Sequence, residues 1–266
     1  MTTVNDVYEF LNKIAPVDMK MEFDNVGFLV GRANDEVLKI VVALDITNDV
    51  ILEAIDYEAQ LIVSHHPLFF SIKSVTDNDL IGKKIIHMLN ADLSAICMHT
   101  NLDAARGGVN DALAKAAGIT DCGAVEFLVQ GSSLPTGETY AIGRVGHLAK
   151  PCFMQEYLEV LKKALGANAL RYYDSGREVH KIAVVGGSGG DELYTAIKHG
   201  CDTFVTADIK YHLFLEAKEL GINLIDADHF CTENTVTQVL FEKLSKTFPD
   251  LQVIVSKRHK QTVQFY

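Results

Sequence analysis

An internal repeat is the feature that most restricts how this chain can fold. Residues 39–65 align without a gap on residues 181–207, at a constant separation of 142 residues. Identical residues occupy several equivalent positions, among them Lys39/Lys181, Val42/Val184, Asp49/Asp191, Ala54/Ala196 and Val63/Val205. After a length difference of 12 residues, the correspondence continues between 91–103 and 221–233. The sequence therefore predicts two copies of one structural unit, packed about a pseudo-two-fold axis.

Each copy alternates strand and helix patterns. Residues 39–44 are an apolar run of strand length, Thr47 is a suitable N-cap, residues 49–59 have helical spacing, and residues 61–63 form the next strand. The second copy repeats this order over residues 181–185, 191–199, 203–206 and 223–226. Apolar strands separated by helices are typical of a mostly parallel sheet buried on both faces. The predicted fold class is α/β, with two duplicated, pseudo-symmetric halves.

The predicted organisation is one compact body with three parts. Residues 1–125 form the first half, residues 126–180 a connecting segment, and residues 181–266 the second half. Within the connecting segment, the sequence predicts turns, a strand and a helix entered at Pro151, over residues 131–137, 140–148 and 151–166. We expect this segment to extend a sheet or to form a subunit contact.

Histidines and carboxylates follow the predicted strands. The candidate metal ligands are His65, His66, Asp103, His229 and Glu233. In an open α/β sheet, loops converge beyond the carboxyl ends of the strands. Duplicated halves would bring equivalent loops together, so we expect one metal site between the halves. Imidazole and carboxylate without thiolate permit zinc, iron, manganese or nickel.

Other polar residues have weaker claims to a role. His99 is a candidate proton shuttle, and Asp208, which lies opposite His66 in the repeat, could orient a ligating imidazole. His212 is a further candidate. Gly187 and Ser188 belong to a glycine-rich loop after a predicted strand, which is either a structural turn or a substrate-contacting loop. Lone histidines such as His87 are expected to be structural.

Composition and charge argue against several kinds of partner and location. The net charge of −11 and isoelectric point near 5.3 argue against broad nucleic-acid or anionic-membrane binding, which requires a basic face. The five cysteines contain no C-x-x-C pair, so we expect reduced thiols. No apolar run approaches the length of a membrane span, and the first residues lack the pattern of a signal peptide. We expect a cytoplasmic protein.

In combination, six motifs resemble one known family across almost the whole chain. They are DNVGFLVG at 24–31, SHHP at 64–67, HTNLD at 99–103, GGSG at 186–189, Ala207-Asp208 followed by His212, and His229-x-x-x-Glu233. These motifs are similar to those of the GTP cyclohydrolase 1 type 2 family, also called Ngg-interacting-factor-like. The chain resembles the short form of that family, without an additional domain between the halves. Asp228 stands where many relatives have glycine.

The resemblance implies a duplicated α/β fold with a dinuclear metal centre. The ligands would be the five residues named above, with two divalent ions per chain. The resemblance also implies a toroidal homohexamer built from dimers. These statements are expectations carried over from the family.

The leading functional hypothesis is a dinuclear metal-dependent hydrolase, in which a metal-activated water attacks a nucleotide-like substrate. For the activity in the family name, attack would open the imidazole ring of GTP and release formate. Two alternatives stay open. The first is a metal-binding or metal-delivery scaffold, or a protein-interaction module, without turnover. The second is a two-metal phosphodiesterase.

Overall fold

The computed structural model describes residues 1–120, 129–133 and 139–266, with the side chains of 129–133 and 139–140 left aside. The chain forms two compact units. The first unit contains residues 1–106 and 236–260, and the second contains residues 107–235 and 261–266. This division differs from the segments expected from the sequence. Residues 107–120 were expected in the first half but lie in the second unit, and residues 236–260 were expected in the second half but lie in the first unit.

The strands are β1 (Gly27–Val30), β2 (Lys39–Ala43), β3 (Leu61–Ser64), β4 (Ser94–Cys97), β5 (Val129–Ser133), β6 (Thr139–Ile142), β7 (Arg144–Cys152), β8 (Arg171–Tyr173), β9 (Val179–Val184), β10 (Thr203–Thr206), β11 (Asn223–Asp226) and β12 (Gln252–Val255). The α-helices are α1 (Val4–Ile14), α2 (Asn48–Asp56), α3 (Leu80–Asn90), α4 (Thr100–Ala104), α5 (Val109–Ala116), α6 (Met154–Leu165), α7 (Leu193–Lys198), α8 (Tyr211–Leu220), α9 (His229–Glu233) and α10 (Thr235–Thr247). Short 3-10 helices span Val17–Met19 and Gly190–Glu192.

The first unit is built on a five-stranded sheet of order β1-β4-β3-β2-β12 among the described residues. β12, β2, β3 and β4 run parallel, and β1 lies antiparallel at one edge. All four residues of β3 and of β4 are buried, as expected for central strands covered on both faces. The predicted N-cap is present, since Thr47 accepts a hydrogen bond from the Val50 amide at 3.2 Å.

The second unit has a sheet of order β7-β9-β10-β11-β8, again among the residues described. The three central strands are parallel, and β7 and β8 are antiparallel edges. Each sheet thus contains three consecutive parallel strands, β2-β3-β4 and β9-β10-β11, with an antiparallel strand beside the third. The α/β class with mostly parallel sheets is confirmed.

Three local predictions were wrong in detail. Pro151 lies within β7, and the following helix α6 begins only at Met154. The strand expected over 140–148 is interrupted, because Gly143 adopts a left-handed φ of 81° between β6 and β7. The turn-rich 131–137 contributes residues 131–133 to β5, and its remainder lies outside the described residues, as does Cys122.

None of the helices in the described ranges combines the length and the apolar character that crossing a bilayer requires. The described cysteines are joined by no disulfide.

Candidate metal centre

In the first unit, the buried strand β3 leads directly into His65 and His66. The His65 side chain is fully buried, and its Nδ1 lies 2.8 Å from the carbonyl oxygen of Met98. Because a carbonyl oxygen only accepts, Nδ1 carries the proton and donates it. Nε2 therefore has the lone pair that metal ligation requires. A backbone partner on the far nitrogen is typical of ligating histidines.

His66 has the same orientation through a carboxylate. Its Nδ1 lies 2.7 Å from Oδ1 of Asp45, which follows β2. Burial opposes ionisation of Asp45, but hydrogen bonds from His259 and His66 prevail and hold the pKa of Asp45 well below its usual range. Asp45 is therefore an anion. Its contact with Nδ1 orients the His66 imidazole so that Nε2 is on the side of the ring away from Asp45.

His99 is the N-cap residue of α4 and is paired with a buried carboxylate. Its Nδ1 lies 2.9 Å from Oδ1 of Asp24, and the Thr100 amide donates to the other oxygen of Asp24 at 3.0 Å. Burial raises the pKa of Asp24, but hydrogen bonds from His99 and Thr100 overcome it and depress that pKa far below its usual value. Asp24 is thus an anion that orients the His99 ring through Nδ1.

These three imidazoles pack against one another. The ring centroids of His65, His66 and His99 are 5.0 to 5.4 Å apart. One donor atom from each histidine lies within 4.8 Å of the others, a group that could hold a metal ion. Asp103, on α4, places Oδ1 at 3.6 Å from His65 Nε2. That distance is longer than a hydrogen bond and close to the roughly 3.4 Å that separates two donors of one tetrahedral ion.

In the second unit, His229 and Glu233 occupy one face of the single turn of helix α9. His229 Nδ1 lies 2.7 Å from Oδ2 of Asp208, and its Nε2 lies 3.0 Å from Oε2 of Glu233. Burial disfavours the charged imidazole, but hydrogen bonds with Glu233 and then Asp208 raise the pKa of His229 to about 9. The two carboxylates thus favour the protonated form of the His229 imidazole that lies between them.

Helix α9 begins at His229. Asp228 is its N-cap and accepts a hydrogen bond from the Cys231 amide at 3.1 Å. Asp228 has φ 70° and ψ 134°, a conformation that an L-residue rarely adopts. The geometry explains why glycine suits this position. Asp228 tolerates it while gaining the cap and a hydrogen bond from Gln261.

The glycine-rich loop lies against Glu233. Gly187 has φ +64°, and a Cβ at this position would meet Glu233 Oε1 at 2.1 Å. Its amide donates to Thr232 Oγ1 at 3.1 Å, and its carbonyl accepts from Thr206 Oγ1 at 3.0 Å. The backbone of Gly187 therefore lies close against the Glu233 carboxylate and restricts its position.

The two remaining predicted site residues have exposed side chains. Ser188 is exposed in the loop, and His212 is exposed on α8. Cys231 is buried, and burial with Asp228 nearby raises the pKa of its thiol to about 12, which disfavours thiolate ligation.

Asp45 and Asp24 were not among the candidate site residues identified from the sequence. Asp45 directly follows the apolar run 39–44, and a position after an apolar run is the same signal that marked His65 and His66. Asp24 lies 75 residues before its partner His99, and local spacing carries no sign of that pairing.

Comparison with known proteins assigns the family. Residues 2–262 match the model for Duf34/NIF3 (NGG1p interacting factor 3). The chain belongs to the Duf34/NIF3 family. A Clostridium perfringens relative named GTP cyclohydrolase 1 type 2 homolog is 38% identical over 265 residues, which is 98% of this chain and 99% of the relative. A Clostridium acetobutylicum relative of the same name is 35% identical over 243 residues, 91% of this chain and 89% of the relative.

A solved structure has the same fold. The crystal structure of a Staphylococcus aureus hypothetical protein has a TM-score of 0.90, is 28% identical, and covers 99% of both chains. This member of the Duf34/NIF3 family contains groups of histidine and carboxylate donors that could hold a metal ion. The resemblance noted in the sequence is confirmed.

Proposed function

We propose that this protein is a dinuclear metal-dependent hydrolase. In this proposal, His65, His66 and Asp103 of the first unit act with His229 and Glu233 of the second unit as the ligands of two divalent ions. The observation that carries the proposal is the orientation of the imidazoles. The Nδ1 atoms of His65, His66 and His229 each lie 2.7 to 2.8 Å from a carbonyl or carboxylate oxygen. This arrangement fixes tautomer and ring orientation in metal sites.

The chemistry of the donors limits the metal. All five proposed ligands offer imidazole nitrogen or carboxylate oxygen. Such a set fits zinc, iron, manganese or nickel. Two divalent ions, when bound, supply Lewis acidity, which makes water more acidic and stabilises negative charge developing on oxygen atoms.

His99 and Asp24 supply a proton relay in this proposal. Asp24 is a buried carboxylate with a depressed pKa, and it holds His99 by Nδ1. His99 Nε2 can then accept a proton from the attacking water and return it to a leaving group. Asp208 and the Gly187 loop hold His229 and Glu233 in position.

The substrate class proposed is nucleotide-like. The relatives' name, GTP cyclohydrolase 1 type 2 homolog, supports GTP as the first compound to assay. Opening of the guanine imidazole ring would release formate. By the same resemblance, we propose a toroidal homohexamer, which light scattering of the purified protein would test.

The decisive experiment compares H65A and D103A with H87A. His87 is an exposed histidine at the end of α3, so H87A controls for loss of an imidazole. Each variant is measured for metal-to-chain ratio and for formate and phosphate release from GTP. We expect about two ions per chain in wild type and H87A, and loss of both metal and turnover in H65A and D103A. Normal metal content without any hydrolysis would instead support a metal-binding scaffold.

A further inference from the structure

Two exposed phenylalanines lie together in the first unit, and one of them lies beside His99. Phe23 is 65% exposed and Phe70 is 55% exposed, and their ring centroids are 6.1 Å apart. The Phe70 ring is also 5.9 Å from the His99 ring. Isolated exposed apolar residues are ordinary on protein surfaces. A pair in mutual contact next to the proposed proton relay calls for a functional explanation.

Both rings project from anchored backbone. Phe23 directly precedes Asp24, which is held by His99 and Thr100. Phe70 follows Phe69, which packs against the core of the first unit and whose carbonyl accepts from Asn25 Nδ2 at 2.9 Å. The hydrogen bond from Asn25 therefore joins the two segments that carry the aromatic pair. Fixed aromatic rings lose little conformational entropy when a ligand packs against them.

We propose that Phe23 and Phe70 bind the planar heteroaromatic ring of the substrate and hold it beside His99. This inference rests on the proposed function and makes it more specific. Aromatic side chains stack on any nucleobase, because every base presents a π-face. The pair thus selects a flat ring over a bare phosphate chain, and it contributes little to discrimination between bases.

The chain offers an unusually direct probe of this surface because it contains no tryptophan. F70W places a single fluorophore in the pair. F153W is the matched control, since Phe153 is 67% exposed at the start of α6 in the second unit. Each metal-loaded variant is titrated with GTP and, separately, with tripolyphosphate, which lacks a base. Metal content is measured in the same samples.

We expect GTP to quench the fluorescence of F70W, tripolyphosphate to leave it unchanged, and neither to affect F153W. F70L removes the ring but keeps an apolar side chain of similar reach. We expect F70L to bind GTP about 5- to 150-fold more weakly than wild type, with unchanged metal content and unchanged affinity for tripolyphosphate. F70W should restore GTP affinity.

Three results would overturn the proposal. The first is F70L that binds GTP as tightly as wild type does. The second is wild type that binds none of GTP, ATP, CTP and UTP. Alternatively, F70W emission that shifts to longer wavelength on protein dilution would show that a second copy of the chain covers the pair. Failure of the proposed function is seen separately, as wild type that holds no metal or that holds metal without hydrolysing GTP.

Discussion

At the residue scale, the candidate ligands are oriented by partners outside the proposed ligand set. Asp45, Asp208 and the Met98 carbonyl each engage an Nδ1 atom, and the Gly187 loop packs against Glu233. These contacts restrict the imidazoles and the carboxylate to one orientation before a metal binds. Pre-orientation of this kind lowers the entropic cost of ligation.

The close approach of Gly187 to the Glu233 carboxylate predicts the effect of the substitution G187A. An alanine Cβ would meet Glu233 Oε1 at 2.1 Å, so the carboxylate must move. Gly200 is a matched control, because it has φ +71° and a Cβ added there would meet no atom within 4 Å. Both variants should lose about 1 to 2 kcal/mol of stability from backbone strain. Only G187A should lose metal affinity.

The measurement combines urea unfolding with metal titration monitored by equilibrium dialysis. Metal affinity in G187A equal to that of wild type would show that the Glu233 carboxylate is not required where it lies. A fall in both variants would point to general strain as the cause.

At the element scale, Glu53 joins helix α2 to the segment after β12. Its carboxylate accepts hydrogen bonds from the Lys257 amide at 2.9 Å, the Arg258 amide at 3.2 Å and the Ser256 hydroxyl. Burial opposes its charge, but these hydrogen bonds lower the pKa of Glu53 below its usual value of 4.5. The contact secures a strand contributed by the far end of the chain.

This depressed pKa gives a pH-dependent contribution to stability. Because the folded state binds the proton less well than the unfolded state, the contribution is complete above pH 4.5. It is lost as the pH falls from there through the folded pKa. E53Q should therefore lower the free energy of unfolding by about 1 to 3 kcal/mol at neutral pH and by less in acid.

Urea denaturation of E53Q and wild type across this pH range measures the difference. E58Q is the control, since Glu58 is exposed and pairs with Lys39 at 3.0 Å, an interaction worth about 1 kcal/mol or less. A difference between E53Q and wild type that stays constant with pH would contradict ionisation as the cause.

At the scale of the whole molecule, metal binding should stabilise the folded chain. A ligand that binds only the native state adds free energy according to its concentration relative to the dissociation constant. Chelation of wild type should lower the apparent Tm by roughly 5 °C or more, while the Tm of H65A should not respond to chelator. Differential scanning calorimetry checks this. An unchanged wild-type Tm after demonstrated metal loss would contradict coupling between metal binding and folding.

The strands and the kinds of ligand were largely predictable from the sequence. Strands β10 and β11 were predicted residue for residue, and β2, β3 and β9 to within a few residues. Apolar runs mark buried parallel strands because both faces are covered, so the signal is local. His65, His66 and His229 were recognisable because they follow such strands.

Helix boundaries were less predictable, because tertiary pairing overrides local preference. Pro151 suits the first turn of a helix, yet it lies in the edge strand β7, where a missing amide donor is tolerated. Helix α9 begins at His229 because Asp228 adopts a strained backbone conformation in exchange for capping contacts. Neither helix boundary can be predicted from the local sequence alone.

The sequence by itself determined the α/β class, the repeat and the chemistry of the candidate ligands, since these depend on residue type and local spacing. Only the tertiary structure decided that β12 pairs with β2, that Asp24 holds His99, and that Phe23 lies beside Phe70. These contacts join residues far apart along the chain. Their formation depends on packing and hydrogen bonding in the folded units, which local periodicity does not encode.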